Sequence, residues 1–296
     1  MRVGFIGIGA MGWPMGANLV KNGHDLMVFD ADPARVARFV AEVGGKAAAD
    51  LGQVASANEV VVTMLPTSAV VRQALMEDQN GGFAAAVAPG LIVVDMSSSE
   101  PGDTRALGPR LAKRGAVLID APVSGAVPRA VTGTLAIMVG GEDEAAIAKA
   151  TPVLLSMGER LFRTGPLGTA HAMKALNNYV AAAGMAAACE AILIGRRFSL
   201  DQDTMIEIMN ASTGRNFATE VVIKDQVLTG RFDGGFALGL MTKDVGIAAR
   251  LGEAVGLDAP VSRLILERFA SARDELGAGR DNSAAILAWD KDMPKS

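Results

Sequence analysis

Short apolar runs alternate with longer segments of helical spacing through the first half of the chain, and then the runs stop. They are Arg2–Gly9 (R-V-G-F-I-G-I-G), Leu26–Phe29, Glu59–Leu65 (E-V-V-V-T-M-L), Leu91–Met96 (L-I-V-V-D-M), Ala116–Asp120 (A-V-L-I-D), Gly133–Gly140 and Arg160–Thr164. Continuous hydrophobicity marks strands buried on both faces, as in a parallel sheet covered by helices. Helical stretches from Ala69, from Pro101 and over Glu142–Ser156 supply the crossovers. The expected architecture is a doubly wound parallel sheet. After Gly165 the punctuation changes. Thr169–Phe198, Asp203–Asn210, Ala218–Leu228, Leu240–Val255 and Pro260–Leu276 have helical spacing, and Asp201–Thr204 and Ser283–Ala285 read as helix starts. The expectation is an α/β domain over 1–164 followed by an all-α domain over 165–296. Length agrees, since 296 residues exceed one typical domain.

The first run flows into Gly7-Ile8-Gly9-Ala10-Met11-Gly12, then into a helical stretch that stops at Asn22-Gly23, and the second run ends at Asp30. Strand, glycine turn, helix, strand and terminal acid form the dinucleotide-binding fingerprint in its required context. Gly7, Gly9, Ala10, Met11, Gly12 and Asp30 are therefore the expected cofactor residues, with the helix N-terminus facing the phosphates. Asp30 accepts hydrogen bonds from ribose hydroxyls and repels a 2′-phosphate, which favours NAD over NADP. Arg35 keeps NADP open. Ligands of such sheets lie at the C-terminal ends of the strands. Here those ends are Met64-Leu65-Pro66, Ser97-Ser98 and Asp120–Gly125. Ser97 to Ser99 read equally well as helix N-caps. Ser124 and Gly125 offer a hydroxyl and backbone N–H groups, a cradle for a carboxylate; the alternative is a plain turn into the next strand.

From Thr164 to Cys189 the one formally charged side chain is Lys174, with Asn178 one turn later on the same helix face. A lone ammonium in an apolar helix is costly to desolvate and gives up its proton more readily, as a general acid and base must. The competing reading is a lysine that snorkels to solvent. Ser212–Asn216 is a polar loop in which Arg215 is available to an anionic substrate, or is merely solvated. Met241-Thr242-Lys243-Asp244 begins a helix; its Lys–Asp pair either reaches a nicotinamide site or is an exposed ion pair. The Thr169–Phe198 helix is more apolar than one small domain requires, which suggests packing against a second subunit.

Composition narrows the classes. A formal net charge of −4 without a basic stripe argues against a nucleic-acid or membrane-surface binder. One cysteine, Cys189, excludes an intrachain disulfide framework and fits a reducing compartment. Two histidines and that cysteine cannot supply a dedicated His/Cys metal cluster, so no metal is expected. No signal-peptide pattern opens the chain. The uncharged stretch Ala175–Cys189 is shorter than the ~20 residues that span a bilayer. The expectation is a soluble, cytoplasmic protein.

Together these motifs resemble the β-hydroxyacid dehydrogenase family, whose members include 3-hydroxyisobutyrate dehydrogenase and tartronate semialdehyde reductase. G-I-G-A-M-G-W-P-M, M-L-P, D-A-P-V-S-G, G-T-A-H-A-M-K-A-L-N-N and a final K-D stand in family order across nearly the whole chain. The resemblance implies a Rossmann domain, a helical C-terminal domain, an active site between them, and dimers or tetramers formed through the helical domains. It also implies reversible NAD- or NADP-dependent oxidation of a small 3-hydroxy acid to its semialdehyde or 3-oxo acid. Lys174 falls on the family's catalytic lysine and Asn178 on its substrate-binding asparagine. Ser124 and Gly125 fall on the substrate-carboxylate loop, and Lys243 on a lysine near the cofactor.

Two departures stand out. The family often has another glycine after Ser124-Gly125, where this chain has Ala126-Val127-Pro128-Arg129. The usual G-x-G before the lysine helix is here Gly168-Thr169-Ala170. Arg129, Arg215 and Asn216 are candidates for tuning substrate choice. Among rivals, a 6-phosphogluconate-type dehydrogenase resembles a longer chain with phosphate-binding basic residues not found here, and imine reductases usually lack a lysine at the position of Lys174. A semialdehyde reductase of the same family, and a non-catalytic dinucleotide-binding module, are further alternatives. A hydrolase built on Ser124 and His171 lacks the nucleophile-elbow context.

Overall fold

Successive side chains of a strand point to opposite faces of a sheet, so a continuous apolar run needs cover on both sides. A computed structural model describes residues 1–77 and 82–290. The chain divides into two compact units, Met1–Lys174 and Ala175–Ser296. In the first unit Val60 and Val62 join a cluster with Val3, Phe5, Ile92 and Val94, while Val61 joins Leu91, Val93 and Phe83 on the other face.

The strands are β1 (Arg2–Ile6), β2 (Asp25–Phe29), β3 (Lys46–Ala47), β4 (Val60–Thr63), β5 (Leu91–Asp95), β6 (Ala116–Asp120), β7 (Val123–Ser124), β8 (Leu135–Gly140) and β9 (Gly158–Gly165). The helices between them are α1 (Gly12–Lys21), α2 (Pro33–Glu42), α3 (Leu51–Ala57), α4 (Ser68–Arg72), α5 (Pro101–Ala112), α6 (Ala126–Thr132) and α7 (Glu144–Leu155). Among the described residues the sheet order is β3-β2-β1-β4-β5-β6-β8-β7, with β9 paired to β8. Neighbours from β3 to β6 are parallel, as the apolar pattern predicts. The far edge departs from it: β8 runs antiparallel to both β6 and β7. Hydrophobicity carries no strand direction. The turn expected at Asp120–Gly125 also holds more than a turn, since it contains β7 and leads directly into α6.

The second unit is helical. Helix α8 (Thr169–Arg197) runs across the division, followed by α9 (Gln202–Ala211), α10 (Leu238–Ala254), α11 (Pro260–Leu276) and α12 (Ala285–Trp289). Asp201 caps α9 by accepting from Thr204 N (2.9 Å). At the last expected helix start the cap is Asp281, which accepts from Ser283 N (3.0 Å). The segment Ala218–Val227 is helical but wound wider, with Leu228 N bonded five residues back to Ile223 O (2.9 Å). Among the described residues, strand pairing here is limited to a single bridge, Ala237 with Asp281. By length and composition alone α8 could cross a membrane, with mean hydropathy 1.4 over 18 residues; half of that window is buried within the protein.

Cys189 sits in the helical core with Met185, Ile192 and Phe269. Burial pushes its thiol from 9.0 up to about 12, so at neutral pH the reactive thiolate is scarce. The raised value favours the folded state below pH 9.0, and that contribution is lost as pH rises toward 12. At neutral pH an aromatic disulfide reagent is expected to leave the native protein unmodified and to titrate one thiol after denaturation. Rapid native labelling contradicts this placement.

Candidate active site

The site begins at the end of β1, which lies between β2 and β4 where the strand order reverses. There Gly7 adopts φ 94°, and a Cβ would collide with Met64 O, so only glycine fits. Gly7 N donates to Phe29 O (2.8 Å) and Met64 N to Ile6 O (2.9 Å), which ties the turn to the ends of its neighbours. Gly12 packs on Gly7 O, whereas a Cβ at Gly9 would meet nothing within 4 Å. Helix α1 starts with neither a side-chain cap nor an acid in its first turn, which leaves amide groups for an anion. Asp30 Oδ2 accepts from Ile8 N (2.9 Å), and Oδ1 accepts from Asp32 N (3.0 Å) and Arg35 Nη1 (2.9 Å). Open space at Gly9, an uncapped helix and this acid fit the pyrophosphate and ribose of a dinucleotide. A groove of about 410 Å³ beside them is lined by Gly9, Ala10, Trp13, Arg35, Val127 and Val131, among others.

Met11, Met64 and Leu65 are half-buried and Pro66 is exposed. Ser97 is fully buried and supports this edge indirectly: its Oγ accepts from Leu65 N (2.9 Å), and its N donates to Asp95 Oδ1 (3.0 Å). Neither Ser97 nor Ser99 caps α5, whose N-cap is Glu100. Ser99 Oγ donates instead to Asp95 Oδ2 (2.8 Å).

Asp120 opens one of the segments expected to line a ligand. It is fully buried; Oδ1 accepts from Gly168 N (2.9 Å) and Oδ2 from His171 N (2.9 Å). A helix leaves its first amides without intrahelical partners. In α8 a carboxylate from a distant strand meets them, and its negative charge suits a helix N-terminus. Gly140 lies opposite on β8, where a Cβ would strike Asp120 Oδ1. The same Asp120 ends β6, four residues before Ser124. One side chain thus holds the strand that leads to Ser124-Gly125 and the first turn of the helix that bears Lys174.

Lys174 is half-buried on the second turn of α8. Asn178, one turn on, is buried; its Nδ2 donates to Asp244 Oδ2 (2.6 Å) and its Oδ1 accepts from Asn177 Nδ2 (3.2 Å). Asp244 pairs in turn with Lys243 Nζ (3.0 Å). The exposed-ion-pair reading of Lys243-Asp244 therefore fails, because Asp244 is 2% exposed and committed to Asn178. The pair also lies a turn inside α10 rather than at its start.

Ser124 is half-buried in β7, opposite Ala136 of β8. Gly125 follows at φ 134°, and a Cβ there would come 2.6 Å from Arg129 Cβ. Ala126, where the family often has glycine, takes the left-handed φ of 52°, a conformation that strains an L side chain. Arg129 pairs with Glu159 (3.1 Å). Arg215, largely exposed, pairs through Nε with Glu220 (2.5 Å). Asn216 Oδ1 accepts from Ala218 N (2.8 Å) and so caps the next segment. Ala170 is fully buried.

Sequence reasoning missed Asp95, Thr104 and the anchoring role of Asp120. The available signal was an acid closing an apolar strand, V-V-D and L-I-D. His171, considered only for a hydrolase, is buried with Nδ1 2.8 Å from Thr104 Oγ1. Among the described residues no group of three or more His, Cys, Asp or Glu could hold a metal ion.

Residues 2–165 match the family model described as the NAD binding domain of 6-phosphogluconate dehydrogenase. Residues 168–289 match that described as NAD-binding of NADP-dependent 3-hydroxyisobutyrate dehydrogenase. The chain is similar to 2-(hydroxymethyl)glutarate dehydrogenase of Eubacterium barkeri, at 37% identity over 98% of this chain and 95% of that one. It is similar to the NAD-dependent L-serine dehydrogenase of Pseudomonas aeruginosa, at 35% identity over 98% of each. Among solved structures it resembles 3-hydroxyisobutyrate dehydrogenase of Mycobacterium tuberculosis with L-serine, at TM-score 0.90 and 31% identity over 98% of this chain and 99% of that one. The chain belongs to the β-hydroxyacid dehydrogenase family, enzymes that use NAD or NADP.

Proposed function

We propose that this dehydrogenase reversibly oxidises a small 3-hydroxy acid bearing a primary alcohol, with Lys174 as general acid and base. The observation that carries the reading is Asp120, which joins the strand leading to Ser124-Gly125 to the first turn of the lysine helix. The two relatives named above act on 2-(hydroxymethyl)glutarate and L-serine, both primary alcohols one carbon removed from a carboxylate-bearing carbon. Ser124 Oγ and the Gly125 N–H bind the substrate carboxylate, which fixes the hydroxyl-bearing carbon. Lys174 Nζ takes the hydroxyl proton during oxidation and returns it to the carbonyl oxygen during reduction. Bound nicotinamide supplies the hydride acceptor or donor, so the protein's part is orientation and proton transfer. Asn178 keeps one amide hydrogen on Asp244 and offers the other to a substrate oxygen.

Gly7, Gly9, Ala10, Met11 and Gly12 cradle the pyrophosphate. Met64, Leu65 and Pro66 edge the cofactor with Ser97 behind them, and Lys243 serves its nicotinamide side. Asp30 favours NAD; Arg35, already bonded to it, is the group that turns toward a 2′-phosphate if NADP binds. The division of labour falls near 164/165, with nucleotide binding before it and substrate binding and self-association after it. Exposed Met173, Leu176, Val180, Ile194 and Phe198 support a homodimer or homotetramer built on α8. A single buried cysteine supports a cytoplasmic setting.

Assayed against 3-hydroxyisobutyrate, L-serine and 2-(hydroxymethyl)glutarate with NAD⁺ and NADP⁺, the enzyme is expected to turn over at least one acid, faster with NAD⁺. Lys174→Ala should bind NAD⁺ with unchanged affinity and lose about 10²- to 10⁴-fold in kcat; retained turnover sinks the lysine assignment. Ala126→Gly relieves the left-handed alanine and should stabilise the fold by about 1 kcal/mol, while raising KM for the acid as the carboxylate loop loosens. A lower melting temperature with unchanged KM contradicts that role for the loop.

A further inference from the structure

The ring of His171 has no part in the chemistry above, yet it is fully buried on the first turn of α8, three residues before Lys174. Side chains three apart on a helix are neighbours. Three other elements face the ring. From α5, Thr104 Oγ1 lies 2.8 Å from Nδ1. From the end of β5, Asp95 Oδ2 lies 3.7 Å from Nε2. From the end of β6, Asp120 Oδ2 lies 3.9 Å from Nδ1 while it accepts the His171 backbone N–H at 2.9 Å. Asp95 is braced by Thr63 Oγ1 (2.8 Å), Ser97 N (3.0 Å) and Ser99 Oγ (2.8 Å). Nε2 has no hydrogen-bond partner. A lone pair there would face a carboxylate oxygen, so the geometry calls for the proton on Nε2, directed at Asp95.

Leucine would fill the same space and pack the helix. What imidazole adds is a donor at Nε2 facing Asp95 and an acceptor at Nδ1 facing Thr104. We propose that His171 is the positioning residue of Lys174: its ring, held by Asp95 and Thr104, together with its backbone N–H, held by Asp120, sets the rotation of the first turn of α8 and so the direction of the lysine amine. The inference rests on the reading of Lys174 as the proton-transfer group. A side-chain head sits roughly 5–6 Å from a helix axis, so a turn of about 10° moves it by about 1 Å. Misplacement on that scale costs on the order of a hundredfold in rate. A cavity of about 150 Å³, lined in part by Asp95, Ser99 and Thr104, lies beside the network and leaves room for a replaced side chain to settle.

The test compares His171→Leu and His171→Gln with wild type and Lys174→Ala. The substrate is whichever of 3-hydroxyisobutyrate, L-serine and 2-(hydroxymethyl)glutarate the wild type oxidises fastest, and NAD⁺ affinity is titrated in each variant. His171→Leu should lose roughly 30- to 100-fold in kcat with KM for acid and NAD⁺ within about threefold of wild type. His171→Gln, whose amide can still meet Asp95 and Thr104, should recover most of kcat. A leucine variant with wild-type kcat overturns the inference. So does a joint loss of kcat, cofactor affinity and melting temperature that glutamine fails to rescue. If Lys174→Ala is inactive while His171→Leu matches wild type, only the positioning role falls. If Lys174→Ala stays active, the lysine reading and this inference fall together.

Discussion

A helix that starts inside a protein brings with it amide groups that nothing in the helix can satisfy, and each one buried without a partner costs about 1–3 kcal/mol. In α8 two of those amides, at Gly168 and His171, end on the Asp120 carboxylate. That interaction ties the start of the lysine helix to the end of β6. Because Asp120 also closes β6, the loop that follows and the helix that carries Lys174 share one anchor. Gly140 keeps the place opposite clear of side-chain atoms. The proposed chemistry depends on this joint for the placement of Lys174.

The same device recurs. Asp30 collects Ile8 N, Asp32 N and Arg35 at the nucleotide turn. Asp95 collects Thr63, Ser97 and Ser99 at the end of β5. In the helical unit Asp244 holds Asn178 and Lys243, and Asp290 is gripped by Arg196 and Arg197. Buried carboxylates are tolerated when donors surround them, and each of these fixes a backbone or side-chain group in place. The glycine turn works by the opposite means. Gly7 and Gly12 remove atoms so that strand, helix and Met64 can close together, and Gly9 leaves the space open.

Much of the fold was legible because each element carried its own signal. Parallel strands buried on both faces read as apolar runs, and Ala116–Asp120 and Pro260–Leu276 have the bounds their patterns predict. Pro260 and Gly277 punctuate α11 at both ends. The antiparallel β8 was not legible, since hydrophobicity has no direction. Nor was α6, seven residues containing Pro128 with no side-chain cap. The motif residues of the site could be named from order and spacing. Their supports could not, because Asp120 meets His171 across 51 residues, Asn178 meets Asp244 across 66 and Thr104 meets His171 across 67. Periodicity sees a turn of helix, and these bonds are made by the fold.

The central claim is that Asp120 couples the start of the lysine helix to the reaction, and Asp120→Asn tests it with almost no change of shape. The carboxamide replaces one acceptor with a donor that faces a backbone N–H. Amide hydrogen exchange at Gly168 and His171, read beside kcat, is the direct measurement. The account predicts that these two amides lose protection, that Val93 in the sheet keeps its own, and that kcat falls by about 10- to 100-fold. Loss of protection at both amides with kcat unchanged would contradict it.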